Sequence, residues 1–203
     1  MTRDEIIEKG VRTALKLAET EKWGSLTLAQ IAEAADLSLQ DFHGKADKDD
    51  LSAAVEKLFD AGMSEGSFDE DETARTRIFD VIMMRFETME EQRDGAMSYL
   101  RWRDRSLDGL ALRLSARAAT AKWALTCSGL DGASRIPRGV QITALGWAIA
   151  QAERAWRQET SADLSRTMAA LDAELIKIEE RAVWVKNRGK RKLSDDPDVK
   201  AAD

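Results

Sequence analysis

The chain runs 136 residues before its first proline, Pro137, and another 59 before its second, Pro197. Proline breaks helix interiors and is favoured in turns. Proline-free stretches of this length, rich in Ala, Leu, Glu, Arg and Met, predict an all-α protein. With 203 residues and 43% of them hydrophobic, the chain can bury a core.

Apolar spacing and capping residues divide the sequence. Ile6, Ile7, Val11, Ala14, Leu15, Leu17 and Ala18 recur at helical intervals between Arg3 and Glu21, and Trp23-Gly24 ends that segment. Thr27-Leu28-Ala29-Gln30 and Ser38-Leu39-Gln40-Asp41 are two capping boxes separated by a short turn. The second opens a short helix that Gly44 cuts off. Asp47-Lys48-Asp49-Asp50 caps a fourth helix carrying Leu51, Ala54, Val55, Leu58 and Phe59. "SEGSFDED", residues 64–71, reads as a loop and a domain boundary. Longer helices are expected over 73–91, 94–105, 107–128, 137–158 and 161–184, the last opened by a Thr160–Asp163 capping box. The remainder, basic and then acidic, has little to bury and is expected to be poorly ordered.

Several function classes find no support. No window reaches the eighteen or so apolar residues of a membrane helix, and MTRDEIIEKG is acidic where a signal peptide is apolar. The single Cys127 suits a reducing compartment, so the expected setting is cytoplasmic. One cysteine and one histidine exclude the usual Cys/His zinc clusters. There is no nucleotide loop, nucleophile triad or metal-ligand spacing. The expectation is a protein that is not an enzyme and needs no metal or cofactor.

The run of a helix, Trp23-Gly24, "TLAQIAEAA" (27–35), a turn, "SLQDFH" (38–43) and "KDDL" (48–51) resembles the DNA-binding domain of TetR-type regulators. These are bacterial repressors. The resemblance implies a three-helix helix-turn-helix head over 1–50, linked by helix 50–64 to a ligand-binding and dimerisation bundle over 65–185. The charged tail is then 186–203. It also implies a ligand-responsive repressor that binds double-stranded operator DNA as a homodimer.

The departures fall where DNA would be touched. Asp36 stands where the family has glycine, His43 where it has tyrosine, and Gly44-Lys45-Ala46 replace the following aromatic pair. Residues 1–60 carry eight Lys/Arg against thirteen Asp/Glu, a balance of −5 in a chain total of −6. Phosphate contacts need cations or hydrogen-bond donors. Thr27, Ser38, Leu39, Gln40, His43, Lys45 and Lys48 are the candidate DNA-binding residues, with Gln40 able to pair bidentately with adenine.

Elsewhere, Phe79, Met83, Phe86, Met97, Leu100, Trp123 and Trp147 are candidates to line a pocket for an apolar or aromatic effector. Trp147, Trp156, Leu164, Met168, Leu171, Leu175 and Ile178 are candidates for the dimer seam, with Trp156 as its anchor. Arg101, Arg103 and Arg105 read as a solvated face. A second reading keeps the fold but not the DNA. The chain is then similar to ubiquinone-biosynthesis accessory proteins, which bind lipid or isoprenoid, although 185–203 lacks their amphipathic membrane helix.

Overall fold

Four reciprocal capping boxes set the first four helices. Thr2/Glu5 starts α1 (Arg3–Leu17), Thr27/Gln30 starts α2 (Leu28–Ala34), Ser38/Asp41 starts α3 (Leu39–Phe42), and Asp47/Asp50 starts α4 (Lys48–Ala61). In each, the N-cap side chain takes an amide of the first turn, and the N3 side chain returns to the cap's own N–H. A 3-10 turn, Trp23–Ser25, lies between α1 and α2. The turn between α2 and α3 needs one left-handed residue, and Asp36 supplies it at φ 50°. The family's glycine is therefore dispensable here. Ile6, Val11, Leu15, Ile31, Phe42, Leu51 and Val55 form the interior of this head.

The computed structural model describes residues 1–66, 69 and 71–194, with side chains through Trp184. Its remaining helices are α5 (Ala74–Glu90), α6 (Arg93–Arg105), α7 (Leu107–Cys127), α8 (Arg138–Trp156) and α9 (Ser165–Ser194). No strand occurs among the described residues. The fold class is all-α, with the helix-turn-helix head followed by a bundle in which α8 packs against α7 and α9.

Two expectations about α9 need correction. Its start is not set by a Thr160–Asp163 box. Glu159 folds back instead, accepting from the amides of Thr160, Ser161 and Thr167 and from the hydroxyls of Ser161 and Thr167. Leu164 takes a left-handed φ of 55° before the helix begins. At its other end α9 continues to Ser194, so the charged tail expected from 186 begins as helix. Residues 195–203 lie outside the described residues.

Helix α6 meets α1 through a glycine. A Cβ on Gly95 would stand 2.2 Å from the Leu15 carbonyl oxygen, a backbone atom that no rotamer change can move. Gly95→Ala is therefore expected to destabilise the fold by about 1–3 kcal/mol through overpacking at this crossing. Urea unfolding checks this, and a variant as stable as the wild type would contradict the close approach.

Candidate functional site

The helix-turn-helix head presents one short turn of helix to solvent. Leu39, Gln40 and His43 are exposed, while Phe42 on the same turn is buried in the head core. Ser38 Oγ donates to Asp41 Oδ2 (2.7 Å) and accepts from the Asp41 amide, which positions the turn. That hydrogen bond to Ser38 also holds the Asp41 carboxyl below its ordinary range, so it stays charged. Thr27 is similarly committed, its Oγ1 donating to Gln30 Oε1 at 2.8 Å. α3 is a four-residue helix that ends at His43, because Gly44 follows at φ 69°.

Three basic residues of the head, Arg3, Lys45 and Lys48, are tied to partners within it. Lys48 Nζ donates to the carbonyls of Gly24 (3.2 Å) and Leu26, tying the α1–α2 connection to the start of α4. Burial lowers its pKa. Two of the three N–H donors of Lys48 are thus engaged by backbone oxygens, a duty its expected phosphate contact did not include. Lys45 Nζ reaches the Met1 carbonyl (3.2 Å), and Arg3 pairs with Asp50 (2.7 Å) while its Nε donates to the Lys45 carbonyl (2.8 Å). What faces outward is Leu39, Gln40, His43 and the exposed stem of Lys45.

Behind the head lies a buried ionic hub that the sequence reading placed on the surface. Arg103 is 2% exposed and bridges two helices, donating to Glu56 of α4 (2.7 Å) and Glu153 of α8 (2.6 Å). Arg85 of α5 clamps the other side of Glu56 (2.7 Å) and also pairs with Asp60. The hydroxyl of Tyr99 donates to Glu56 at 3.1 Å, and Thr120 bonds both oxygens of Asp60. Burial opposes ionisation of Glu153, yet Arg103, Arg157 and Arg117 outweigh it and hold its carboxyl at about 2. Glu56 is held below its ordinary range by Arg85 and Arg103 against the same desolvation. The hub joins α4, which carries the head, to α5, α6, α7 and α8.

The expected effector pocket is not where the aromatic and methionine residues suggested. Met83, Phe86 and Leu100 are buried in close-packed core. Trp123 is 41% exposed and points its Nε1 to the Asp60 carbonyl (3.2 Å). Phe79 lines a shallow depression with Met168, Met97 lies in a surface cleft beside Asp94, and Trp147 faces outward. A larger apolar cavity, about 550 Å³, opens instead under the α7–α8 connection. Ile78 of α5, Leu130 and Ile136 of the connection, Leu145 of α8, and Leu175 and Ile178 of α9 line it. The available signal was the apolar pair Leu130 and Ile136 inside the glycine-rich "SGLDGASRIPRG".

Most of the expected dimer seam is likewise internal. Trp156 is fully buried, donates Nε1 to Glu90 (2.8 Å) and carries Arg93 over its ring at 4.7 Å. Leu164, Leu171 and Leu175 are also buried within their own chain. Met168 and Ile178 are half-buried. Of the seven residues only Trp147, 60% exposed, presents most of its side chain. Val140, Val183 and, to a lesser extent, Ile176 are further exposed apolar residues.

No family model matches the sequence, and no curated protein is similar to it. Solved structures do resemble it. A TetR transcriptional regulator from Nitrosomonas europaea ATCC 19718 superposes with a TM-score of 0.68 at 20% identity, covering 88% of this chain and 98% of that one. A TetR transcriptional regulator from Rhodococcus sp. RHA1 gives 0.59 at 15% identity, covering 84% and 95%. The agreement covers most of the chain, too much to leave out either the capped head or the helices behind it, so this chain has the fold of the TetR transcriptional regulators.

Proposed function

We propose that this protein is a DNA-binding transcriptional repressor that acts as a homodimer and releases its operator when an apolar effector binds. The observation that carries the reading is the head itself. A capping-box pair across a one-residue left-handed turn holds Leu39, Gln40 and His43 outward over a fully buried core. Such a turn is the unit that places side chains against base edges. The solved neighbours bear the name of transcriptional regulators.

The effector would enter the 550 Å³ cavity under the α7–α8 connection, a volume typical of small-molecule sites. α8 lines that cavity with Leu145 and carries Glu153 two turns later, where Arg103 relays to Glu56 of α4. A ligand that favours one placement of α8 thus biases the placement of the head. The coupling is thermodynamic, because the effector must bind the two arrangements with different affinity. The dimer would form on the outer face of α8 and α9, where Val140, Trp147 and Ile176 are exposed.

The test is binding to DNA upstream of the protein's own gene, titrated against salt. A discrete site with a steep salt dependence is expected. Gln40→Ala should relax preference at one base position by about 1–3 kcal/mol while leaving other positions unchanged. A uniform loss across all sequences would remove Gln40 as a base reader. No binding at any salt concentration would remove the repressor reading and favour the lipid-binding one.

A further inference from the structure

Arg101, Arg103 and Arg105 alternate in sequence, and the helix separates them. Arg103 turns into the ionic hub, while Arg101 and Arg105, four residues apart, emerge together on the opposite side of α6. There they face Lys22 across a cleft of about 380 Å³ floored by Trp23, Gly24 and Trp102. No acidic side chain lines this cleft; Glu19, Glu21 and Asp94 sit in an adjoining depression that Lys22 and Arg101 also border. Lys22, Arg101 and Arg105 have no ion-pair partner among the described residues. Three like charges held on one cleft repel one another, and an anion relieves that repulsion.

The cleft's position in the fold selects the anion. Lys48 at the first turn of α4 holds the Gly24 and Leu26 carbonyls, and Trp23 Nε1 donates to Ser52 Oγ (3.3 Å) one turn further along α4. These bonds tie the cleft floor, and the chain leading into α2, to the first two turns of α4. The head's own Arg3, Lys45 and Lys48 are engaged internally, so its reading surface is short of cations. Lys22, Arg101 and Arg105 share one cleft and, like Lys9 and Lys16 of α1, have no ion-pair partner among the described residues.

We propose that this cleft between the Trp23–Ser25 turn and the C-terminal half of α6 is a second contact for duplex DNA, gripping backbone phosphates that flank the operator. The head then supplies base contacts, and α6 supplies much of the sequence-independent affinity. This rests on the DNA-binding reading above.

The experiment uses the full-length protein and its operator in two lengths, one trimmed to the protected base pairs and one extended by about one helical turn on each side. Fluorescence anisotropy across a salt series reads both. The wild type is expected to bind the extended duplex roughly tenfold more tightly, with a steeper salt dependence. Arg101→Gln with Arg105→Gln, both at exposed positions, should flatten the extended-duplex slope by about two per protomer and leave the trimmed duplex within about twofold. Arg135→Gln, removing an exposed cation from the α7–α8 connection, should change neither. Equal wild-type affinity for the two lengths, or an unchanged slope in the double variant, would overturn the flanking contact and leave the repressor reading intact. Failure of the wild type to bind either duplex at any salt overturns both.

Discussion

Replacing Arg103 with methionine is expected to cost about 3–5 kcal/mol of folding stability, a large share of what a domain of this size possesses. The guanidinium lies between Glu56 and Glu153, all three buried. Removing it leaves two carboxylates in low dielectric with their remaining partners incompletely arranged. For a chain of this length the loss corresponds to a fall in Tm of roughly 6–20 °C. Adding Glu153→Leu to the variant should recover part of the loss, since it removes one of the stranded charges.

The hub also predicts an acid limb. Glu153 is held at about 2 from an ordinary 4.5, and Glu56 is also depressed. A depressed carboxyl contributes stability that is complete above its unfolded pKa and is lost as pH falls through the folded one. Wild-type stability should therefore decline from about pH 4.5 toward pH 2. The gap between wild type and Arg103→Met should narrow over the same range. Urea unfolding at several pH values checks both statements, and a gap independent of pH would contradict the ionic account.

Trp147→Glu combined with Val140→Glu is expected to convert the dimer proposed above into a stable monomer. Both side chains are mostly exposed in the single chain, so their replacement should change folding stability by no more than about 0.5 kcal/mol. In a two-fold dimer the two substitutions place four carboxylates in one seam, where desolvation and repulsion oppose association. Operator affinity should then fall by roughly a hundredfold or more, because two linked heads gain from effective concentration and one head does not. Sedimentation velocity and anisotropy read the two effects. A wild-type protein that is monomeric at micromolar concentration would remove the dimer.

Leu171 and Leu175, expected at a dimer seam, show how a stripe can be internal instead. Both lie on the strongest apolar stripe of α9, and substituting glutamate there would disrupt the chain's own core rather than separate two chains. Residues expected to line a pocket are buried for a related reason. Phe86, Leu100 and Met83 are large and apolar, which is what a core requires as much as a cavity.

The sequence by itself determined the local events. Capping boxes at Thr27 and Ser38, an Asp36 that tolerates a left-handed turn, and the near absence of proline specify helices and their order, because each acts over a few neighbouring residues. Helical periodicity likewise separates an apolar face from a polar one. It does not say whether that face meets its own chain, another copy or a ligand, so Trp156 went inside, Trp147 outside, and the cavity opened beneath Leu130 and Ile136. The same limit governs charge. Arg101, Arg103 and Arg105 are equivalent in a string of letters, yet only the placement of α6 lets the middle one reach Glu56 of α4 and Glu153 of α8 as a buried bridge and leaves its neighbours facing solvent. Burial and pairing depend on residues dozens of positions away, and only the assembled helices bring those together.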